Sequence, residues 1–466
     1  MKGAEADEKG ETAIEFNFSN ARRSLQSKGE SIDKQGSSMQ KEALSTFSGT
    51  QKTQDPQISL NELILQERER LIKYNVHYIK KNNELPPTSL DFYKFVKLIG
   101  KGAFGKVTLG IQKLTGKYVA IKTIDKQYMK DEFSRRKVLQ EVYILKKIRH
   151  SNIIRLLEVF ESPKHFLMVM EYAGGGDLLQ FVKRRGRIKE SDAKFIFKQI
   201  VYGLAHIHCR SVIHRDVKLD NILLDCESGV KICDFGVSKI IKKGQVINEQ
   251  CGTPAYIAPE IIREKGYEGF YVDTWSLGVL LFAVMCGTVP FKASNMQDLH
   301  KLILEGEFSF PAGVELSEDA QEIIRGMLKM EPKERMTIPQ VLSHKWLKET
   351  NEDSESEDEE EEEEGGGKEG EKKEGEEQKE QVDMKAISGN INFVNVDNLF
   401  YDEVYTTKLS YTDYCCITED FASQNLDEEA LKTVEGFGYP RSFVVRCLNA
   451  GELNHATCSY NLLVLP

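Results

Sequence analysis

Two carboxylates and one amide stand within a short part of the chain, where they could act together on a metal ion. Asp216 and Asn221 belong to the stretch HRDVKLDN, and Asp234 begins the stretch DFG. Carboxylate and amide oxygens suit Mg²⁺, a hard ion that prefers oxygen ligands. Transfer of a phosphoryl group is catalysed chiefly by well-placed cations and an aligned nucleophile, because the transition-state charge is spread over oxygen atoms. These residue types fit that chemistry.

A glycine-rich stretch, GKGAFGKV at 100–107, precedes these groups. Glycine lets the backbone close over phosphate groups, where a Cβ atom would collide. The stretch lies between two predicted strands and would form a hairpin lid, whereas a dinucleotide-binding fold would place it between a strand and a helix. Three glycines alone are a weak signal of nucleotide binding, and their position between two predicted strands strengthens that signal.

One lysine, Lys122, ends the apolar strand-like run VAIK. A lysine at a sheet edge could simply extend its charge into solvent along an apolar stem. It could instead direct its charge at nucleotide phosphates, and it would then need a carboxylate to hold it. Glu141, in the predicted helix EVYILKKI, is available. The pair alone leaves both interpretations open.

The order of these motifs resembles that of the eukaryotic protein kinase family. After DFG come APE (258–260), DTWSLG (273–278) and Arg335, which in the family pairs with the APE glutamate. The resemblance covers 92–346 and implies a protein kinase domain at 91–347. It implies an α+β fold with a small sheet-rich N-terminal lobe and a large helical C-terminal lobe, in agreement with the strand-like patterns that give way to helical ones.

The resemblance also implies how the chain would transfer the γ-phosphate of ATP to a protein Ser or Thr hydroxyl. Asp216 would accept the hydroxyl proton, and Lys218, a residue typical of Ser/Thr kinases, would stabilise charge on the moving phosphoryl group. Asn221 and Asp234 would hold Mg²⁺. The residues implied at the ATP site are Ile99, Gly100, Lys101, Gly102, Ala103, Phe104, Gly105, Lys106, Val107, Ala120, Lys122, Glu141, Met170, Glu171, Ala173 and Asp177.

The stretch INEQCGTPAYIAPE (247–260) resembles a kinase activation segment. In many members a Thr two residues before the Cys is phosphorylated, and its phosphate contacts the Arg of HRD. Here that position is Glu249, and Arg215 and Lys239 are present to receive an anion. A permanent carboxylate predicts activity without an upstream kinase, unless Glu249 is only a solvated loop residue. Thr253 is another candidate phosphosite, although in the family a Thr there usually hydrogen-bonds within the catalytic loop.

Several residues near the predicted site also have plain structural interpretations. Met170, before the hinge sequence EYA, could be ordinary core, and His214 would brace the catalytic loop. Cys233 would be a packed thiol first and a reactive one second. Asp273 would anchor the backbone of the catalytic loop. Asp177 takes the place of an acidic residue that in related kinases meets the ribose and a basic substrate residue, which favours Arg or Lys before the phosphoacceptor.

Two competing classes are disfavoured by particular residues. A pseudokinase, which keeps the fold as a scaffold, usually lacks the VAIK lysine, the HRD aspartate or the DFG aspartate, whereas Lys122, Asp216 and Asp234 are all present. A kinase for small molecules or lipids is disfavoured because the motifs of the large lobe are those of protein-directed enzymes.

The chain outside the kinase domain divides by composition. A helix predicted at 60–83 has an apolar stripe that would rest on the following domain, with partner binding as the alternative; the stripe comprises Leu63, Ile64, Ile72, Val76 and Ile79. The segments predicted are a disordered region at 1–58, a helical extension at 59–88, an acidic low-complexity linker at 350–385, a poorly defined segment at 390–425 and a helical module at 427–466.

Within the family, the chain resembles the calcium/calmodulin-kinase group and its AMP-activated-kinase-related members. The stretches HSNIIRLLEVFES and MEPKERMTIPQVLSHKWL carry this resemblance. Residues 427–466 look like the ubiquitin-associated-type domain of these kinases, with Gly438 and Tyr439 at its Gly-Phe/Tyr loop. In the family this module supports the kinase domain and seldom binds ubiquitin well. An unrelated small helical tail is the alternative.

The formal net charge of −10 is concentrated in one segment. Residues 351–380 hold 17 acidic and 4 basic side chains, which leaves +3 for the rest of the chain and gives no general nucleic-acid surface. The segment could dock a basic partner or simply be solvated, and Ser354 and Ser356 are candidate sites for an acidophilic kinase. Nine Cys without a CxxC pair, and no apolar run near the roughly 20 residues of a membrane span, predict a protein of the cytoplasm, with the nucleus as a further location, and no membrane insertion.

Overall fold

The computed structural model describes residues 60–102, 105–225, 229–242, 244–348 and 426–465, with side chains from residue 65. The predicted segments at 1–58, 350–385 and 390–425 lie outside the described residues.

Helices follow the strands of a small first lobe and make up most of a larger second lobe. The helices are α1 (Leu60–Asn82), α2 (Glu132–Lys147), α3 (Leu178–Arg185), α4 (Glu190–Cys209), α5 (Pro259–Ile262), α6 (Tyr271–Cys286), α7 (Met296–Glu305), α8 (Glu318–Met327), α9 (Ile338–Leu342), α10 (Glu428–Gly436), α11 (Arg441–Asn449) and α12 (His455–Val464). The strands are β1 (Tyr93–Lys101), β2 (Gly105–Gln112), β3 (Tyr118–Asp125), β4 (Leu156–Glu161), β5 (His165–Glu171), β6 (Val212–Ile213), β7 (Ile222–Asp225), β8 (Gly229–Ile232), β9 (Lys239–Ile240), β10 (Val246–Ile247) and β11 (Tyr267–Glu268).

An antiparallel sheet in the order β1-β2-β3-β5-β4 forms the N-terminal lobe. Its central strands are rich in β-branched and aromatic residues, which favour a pleated, half-buried surface. Helix α2 contacts this sheet. It begins where Asp131 accepts a hydrogen bond from the backbone N–H of Ser134 at 2.8 Å, which satisfies one of the free donors of its first turn. The predicted α+β fold of two lobes is confirmed.

The C-terminal lobe is built around helix α6, which is buried on all sides. Every residue from Val272 to Met285 is buried, so the longest apolar run of the sequence is a core helix. None of the helices that the structure describes is long and apolar enough to cross a bilayer. Helices α4 and α8 contact α6, and the paired strands β7 and β8 lie against α4. This packing places the loop that precedes β7 at the junction of the two lobes.

Helices α1, α10, α11 and α12 complete a second core on the sheet. Leu71 of α1, Phe92 and Val169 of the first lobe, and Leu431 and Tyr460 of the C-terminal helices are all buried in one cluster. The first and last described parts of the chain therefore cover the same sheet. Burial of such apolar area is the main favourable term in holding them there.

Polar contacts fix the register of this packing. Gln112 Nε2 donates to Ser459 Oγ at 2.9 Å, and Arg155 donates to Asn461 at 2.5 Å. The ring of His455 stacks on Phe92 with centroids 4.4 Å apart, and its Nε2 atom donates to the backbone oxygen of Pro86 at 2.6 Å. These hydrogen bonds favour one arrangement of the segments, because a shifted one would leave their buried donors and acceptors without partners.

Helix α1 packs on the second core, with Ile72 and Ile79 of the predicted stripe against the core cluster and Val76 beside Gly438 of the C-terminal segment. Leu71 and Asn75 are its most buried side chains, whereas Ile72, Val76 and Ile79 are only partly buried. Asn75 Nδ2 donates to the backbone oxygen of Phe437 at 3.0 Å. The apolar pattern missed Asn75 because it counts only apolar residues. Leu63 and Ile64 have side chains outside the described residues.

A carboxyl group is completely buried where these segments meet the sheet. Glu158 of β4 accepts a hydrogen bond from Thr88 Oγ1 at 2.6 Å and another from the hydroxyl of Tyr93, whose oxygen is 3.5 Å from Cys458 Sγ. Burial raises the pKa of Glu158 to about 7, although the hydrogen bonds from Thr88 and Tyr93 oppose the rise.

This raised pKa predicts a pH dependence of folding. The ordinary pKa of the group is 4.5, so between pH 4.5 and about 7 the folded state binds a proton that the unfolded state has released. The free energy of unfolding therefore falls as the pH rises through that window, by about 3 kcal/mol from this group. Because other groups titrate as well, the test compares wild type with Glu158→Gln by denaturant unfolding at several pH values. The variant should gain about 3 kcal/mol relative to wild type across the window.

Glu161→Gln is the matched control, since Glu161 is exposed in the same strand. Its unfolding curve should keep the wild-type pH dependence. Parallel curves for Glu158→Gln and wild type would contradict the assignment of the raised pKa.

Candidate active site

The catalytic-loop residues predicted from HRDVKLDN converge on one carboxylate. Asp216 lies 2.9 Å from Lys218 Nζ, and it accepts hydrogen bonds from Thr253 Oγ1 at 2.8 Å and Asn221 Nδ2 at 3.0 Å. Lys218 Nζ also donates to Thr253 Oγ1 at 2.8 Å. The four side chains hold each other in place, with the carboxylate and the ammonium group of Lys218 beside one another.

These contacts keep Asp216 ionised at neutral pH. Burial alone would raise its pKa, but the hydrogen bonds from Lys218 and Thr253 outweigh that effect, and the pKa is lowered below its usual value. An ionised carboxylate can orient a hydroxyl group and accept its proton as the oxygen attacks.

A second aspartate holds the backbone of this loop. Asp273, completely buried at the start of α6, accepts hydrogen bonds from the backbone N–H groups of His214 and Arg215, both at 2.8 Å, and from His208 Nε2 at 2.8 Å. Burial would raise the pKa of Asp273, but the hydrogen bond and charge of His208 lower it. Arg215 has a φ of +67°, a left-handed conformation that a non-glycine residue adopts only when its surroundings hold it there.

Lys122 and Glu141 form the ion pair that the motif spacing left open. Their side chains meet at 2.6 Å, with Asp234 at 3.9 Å from the same ammonium group. Burial would lower the pKa of Lys122, but the charge of Glu141, followed by that of Asp234, raises it. The ammonium group is therefore charged and held between helix α2 and the DFG sequence, and the interpretation of Lys122 as a solvent-directed edge residue is wrong.

The glycine-rich stretch forms the hairpin between β1 and β2. Gly102 N–H donates to the backbone oxygen of Gly105 at 2.8 Å, and a Cβ atom on Gly105 would lie 2.4 Å from the backbone oxygen of Thr123. Val107 pairs with Lys122 across the sheet, so the second strand of the hairpin lies directly beside the strand that carries the ion pair. Ile99, Gly100, Lys101 and Lys106 belong to the same two strands, and Ala103 and Phe104 lie outside the described residues.

The hinge residues have mixed environments. Met170 pairs with Ala120 across β5 and β3 and is half-buried, and Ala173 is buried. Glu171 is engaged elsewhere, because its carboxylate lies 3.0 Å from Lys231 Nζ and accepts the backbone N–H of Arg155 at 2.7 Å. Any contact of Glu171 with a nucleotide would therefore use its backbone.

Three other residues of the predicted site have structural surroundings of their own, and the capping role of Asp177 was not predicted. Asp177 caps helix α3 by accepting the backbone N–H of Gln180 at 2.8 Å. His214 contacts the backbone oxygen of Cys233 at 3.2 Å and the ring of Phe235. Burial raises the pKa of the Cys233 thiol strongly, so it stays protonated and weakly nucleophilic.

The residues predicted to hold Mg²⁺ fit that ion by their donor atoms. Asp234 has a half-exposed carboxylate, and Asn221 uses its Nδ2 atom to contact Asp216, so its Oδ1 atom is the one available as a ligand. Within the described part of the chain, no three or more His, Cys, Asp or Glu side chains form a metal cluster. Mg²⁺ is commonly bound by one or two carboxylates together with substrate phosphates, so this donor set suits an ion that binds together with a nucleotide.

Glu249 joins the activation segment to the catalytic loop. Its carboxylate lies 3.0 Å from Arg215 Nη1 and 2.7 Å from Lys239 Nζ. The hydrogen bond from Lys239, followed by that from Arg215, lowers its pKa, although partial burial opposes the shift. The hydroxyl of Tyr267 donates to the backbone oxygen of Glu249 at 3.3 Å, and Tyr267 pairs with Ile247 between β11 and β10. The segment is thus held by its backbone as well as by the ion pairs.

Sequence reasoning missed some supporting contacts. His208 on Asp273 and Lys231 on Glu171 join residues 65 and 60 positions apart, and neither residue belongs to a motif. Polar residues within otherwise apolar runs, such as Lys231 in GVKICDF, were the available signal, because a buried charge needs a partner.

A fold of two lobes with these catalytic and nucleotide-site motifs defines a protein kinase. The family model described as protein kinase domain matches residues 93–347, more than half of the chain, and the protein belongs to this family. It is 41% identical over 270 residues to a protein named "Serine/threonine-protein kinase SIK3 homolog" from Danio rerio. The match covers 58% of this chain and 22% of that relative, so the chain aligns with only about a fifth of the relative's length.

Proposed function

We propose that the protein is a Ser/Thr protein kinase that transfers the γ-phosphate of ATP to Ser and Thr hydroxyls of protein substrates. The observation that carries this proposal is that two pairs of charged side chains expected of an active kinase are both formed between the lobes. The Lys122–Glu141 pair is closed at 2.6 Å, and Asp216 lies beside Lys218 at 2.9 Å. A pseudokinase would have no need of both.

In this proposal each side chain has one task. Asp216 orients the acceptor hydroxyl and takes its proton, and Lys218 stabilises negative charge on the phosphoryl oxygens. Lys122 binds the α- and β-phosphates. Asn221 and Asp234 would hold Mg²⁺, which neutralises phosphate charge when bound. Thr253 fixes the spacing of Asp216 and Lys218 through its two hydrogen bonds.

The choice of Ser and Thr as acceptors is supported by Lys218 and by the relative's name. We also propose a preference for Arg or Lys before the acceptor. Asp177 is partly exposed at the start of α3, next to the hinge, where its carboxylate could meet a cation. Peptides that differ only in an Arg before the Ser would test this preference through kcat/KM.

We further propose that Glu249 keeps the activation segment in its active arrangement without phosphorylation. Its carboxylate holds the two cations, Arg215 and Lys239, that would otherwise receive a phosphate. Its charge of −1 is smaller than the −1.5 to −2 of a phosphate, but it is permanent. Arg215 is buried and adjoins Asp216, so the ion pair acts directly on the catalytic loop.

Replacing Glu249 tests this proposal. Glu249→Gln and Glu249→Ala in the full chain should lower kcat/KM for a basic Ser peptide by about 5- to 150-fold, the usual range for coupling between two sites of a protein. The protein would be made in bacteria, and mass spectrometry would establish that its activation segment is unmodified. Glu264→Gln is the matched control, because Glu264 is exposed in the same region and contacts Gln250.

The possible outcomes separate the proposals. Unmodified wild type with activity that falls only in the Glu249 variants supports a kinase held active by Glu249. Activity that persists in Glu249→Ala would make this residue a bystander while leaving the kinase proposal in place. An unmodified wild type without activity would contradict priming by Glu249.

We propose as well that residues 427–466 form a ubiquitin-associated-like module that supports the N-terminal lobe. In support, three short helices enclose a loop in which Gly438 has a φ of +89° and Tyr439 is buried. A Cβ atom on Gly438 would lie 2.9 Å from Val76 Cγ2, so helix α1 covers this loop closely. A loop covered in this way is closed to ubiquitin, and a titration of the full chain with ubiquitin should give no saturable binding.

A further inference from the structure

A compact group of cations lies on the surface of the C-terminal lobe. Lys183, Arg184, Arg185, Arg187 and Lys189, together called the basic turn, all have exposed side chains. The only acidic residue between 181 and 190 is Glu190. Neither the nucleotide site nor the acceptor site described above uses these five charges.

The backbone of the basic turn is fixed, which keeps the five charged side chains on one small part of the surface. Gly186 ends helix α3 with a φ of +76°, and a Cβ atom on Gly287 would lie 2.1 Å from the backbone oxygen of Gly186. Ile188 N–H donates to the backbone oxygen of Val284 at 3.0 Å. The guanidinium of Arg187 donates to the backbone oxygen of Gly313 at 3.2 Å.

The kinase domain ends beside this turn. Trp346 Nε1 donates to Glu190 Oε1 at 2.7 Å, and the Trp346 ring contacts Phe197, two turns further along α4. Glu190 follows Lys189 directly in the chain. The last described residue of the domain, Lys348, is two positions beyond Trp346.

The chain that follows carries the opposite charge. Residues 352–364 hold 11 acidic side chains and no basic one, and they begin four positions after Lys348. An extended chain spans about 3.3–3.6 Å per residue, so these side chains are within reach of the basic turn. Opposite charges held so close by a short tether have a high effective concentration for each other.

The charges around helix α8, on the other side of the end of the kinase domain, also favour binding of the acidic residues to the basic turn. Ser317, which caps α8, donates to Glu190, and α8 continues with Glu318 and Asp319. Lys345 is already paired with Asp319 at 2.7 Å. Because Lys345 also lies 2.9 Å from Glu322, its charge is already engaged, and the basic turn attracts an acidic chain more strongly than the surface next to α8 does.

The described part of the chain resumes at residue 426, and contacts link this segment to the strand that leads into the hinge. Asp427 N–H donates to the hydroxyl of Tyr460, whose neighbour Asn461 contacts Arg155. The backbone N–H of Arg155 donates to Glu171, six positions before the residue that caps α3. The chain therefore returns on the side of the sheet that carries Arg155, whose backbone contacts the hinge residue Glu171.

We propose that the acidic segment 352–364 binds the basic turn of its own chain. The contact is electrostatic, fixes the start of the linker on the C-terminal lobe beside the end of α6, and requires no folded structure of the acidic segment. The acidic segment is then a ligand of its own kinase domain, and a separate basic partner must compete with the basic turn to bind it.

Zero-length carbodiimide coupling tests the contact, because it joins a lysine amine to a carboxylate only when the two touch. The full chain would be coupled and digested, and the joined peptides counted by mass spectrometry. Lys183 and Lys189 should couple to 352–364 about fivefold more than the exposed Lys146 and Lys147 do. Raising the ionic strength from 0.1 to 1 M shortens the Debye length from about 10 to about 3 Å and should remove the excess.

Charge reversal of the arginines leaves both reporter lysines in place. Arg184→Glu with Arg187→Glu should lower the coupling of Lys183 and Lys189 about fivefold, whereas Arg135→Glu with Arg136→Glu, two exposed arginines of α2, should not. The salt series uses only the wild-type protein, so it tests the electrostatic contact even if a variant folds poorly. Equal coupling of all four lysines, or no effect of salt, would overturn the proposal.

Mixing chains of two isotopic compositions distinguishes binding within one chain from binding between two copies of the chain. Joined peptides within one chain support the proposal. Joined peptides mainly between differently labelled chains would overturn it, because the partner of the basic turn would then be a second copy.

Discussion

Replacing Asp216 by Asn should lower kcat for peptide phosphorylation by about 10²- to 10⁴-fold, the usual contribution of a general acid or base. The substitution keeps the shape of the side chain but removes the charge that Lys218, Thr253 and Asn221 surround. Because none of these residues is predicted to bind the adenine or ribose, the affinity for Mg-ATP should change far less than kcat. Steady-state kinetics with a basic Ser peptide, and binding of ATP by calorimetry, would measure the two effects.

Asp220→Asn is the matched control, since Asp220 is exposed in the same loop. It should leave kcat within a few-fold of wild type. An Asp216→Asn protein that keeps more than a tenth of the wild-type kcat would mean that another group takes the hydroxyl proton, and it would remove the central residue of the proposed mechanism.

The second large effect expected is on stability and concerns Arg335. Its guanidinium is completely buried and contacts both oxygens of Glu260, at 2.8 and 3.0 Å, as well as the backbone oxygens of Tyr271 and Lys329. It also lies over the ring of Trp275, 5.0 Å from the centroid. Arg335→Ala leaves the charge of Glu260 buried without this partner, which should cost about 3–5 kcal/mol.

For a domain of this size, such a loss should lower the melting temperature by about 6–20 °C. Arg335→Ala with Glu260→Gln should recover part of the loss, because no unpaired charge then remains. Arg263→Ala is the control, since its ion pair with Glu331 at 3.3 Å is exposed and should contribute at most about 1 kcal/mol. If Arg335→Ala and Arg263→Ala melted at the same temperature, the buried pair would not stabilise the domain as argued.

Much of the active site could be predicted because its chemistry restricts residue types within short stretches. Asp216, Lys218 and Asn221 lie within six positions, and one loop conformation brings them together. The Lys122–Glu141 pair is only one of two interpretations that the local sequence allows, because strand and helix patterns do not determine how α2 is rotated against the sheet. Glu171 shows the opposite case, since its partner Lys231 follows from the tertiary packing alone.

The placement of the outer helices could not be predicted for the same physical reason. Asn75 and Phe437 are separated by 362 positions, and apolar periodicity tells which face of a helix is buried but not against what. The buried polar residues at that contact, Asn75, Gln112 and Glu158, resemble ordinary surface residues in composition. Their burial becomes evident only when the segments that supply their partners are in place.

The second core also has a consequence for synthesis on the ribosome. The strands of the N-terminal lobe are complete at Glu171, but the helices that cover one of their faces include α12, which ends at Val464. At about 5–20 residues per second, roughly 300 further residues take about 15–60 s to be translated. During that interval Val169, Leu157 and Ile121 lack their final neighbours, so the nascent chain presents an apolar surface to chaperones until translation is nearly finished.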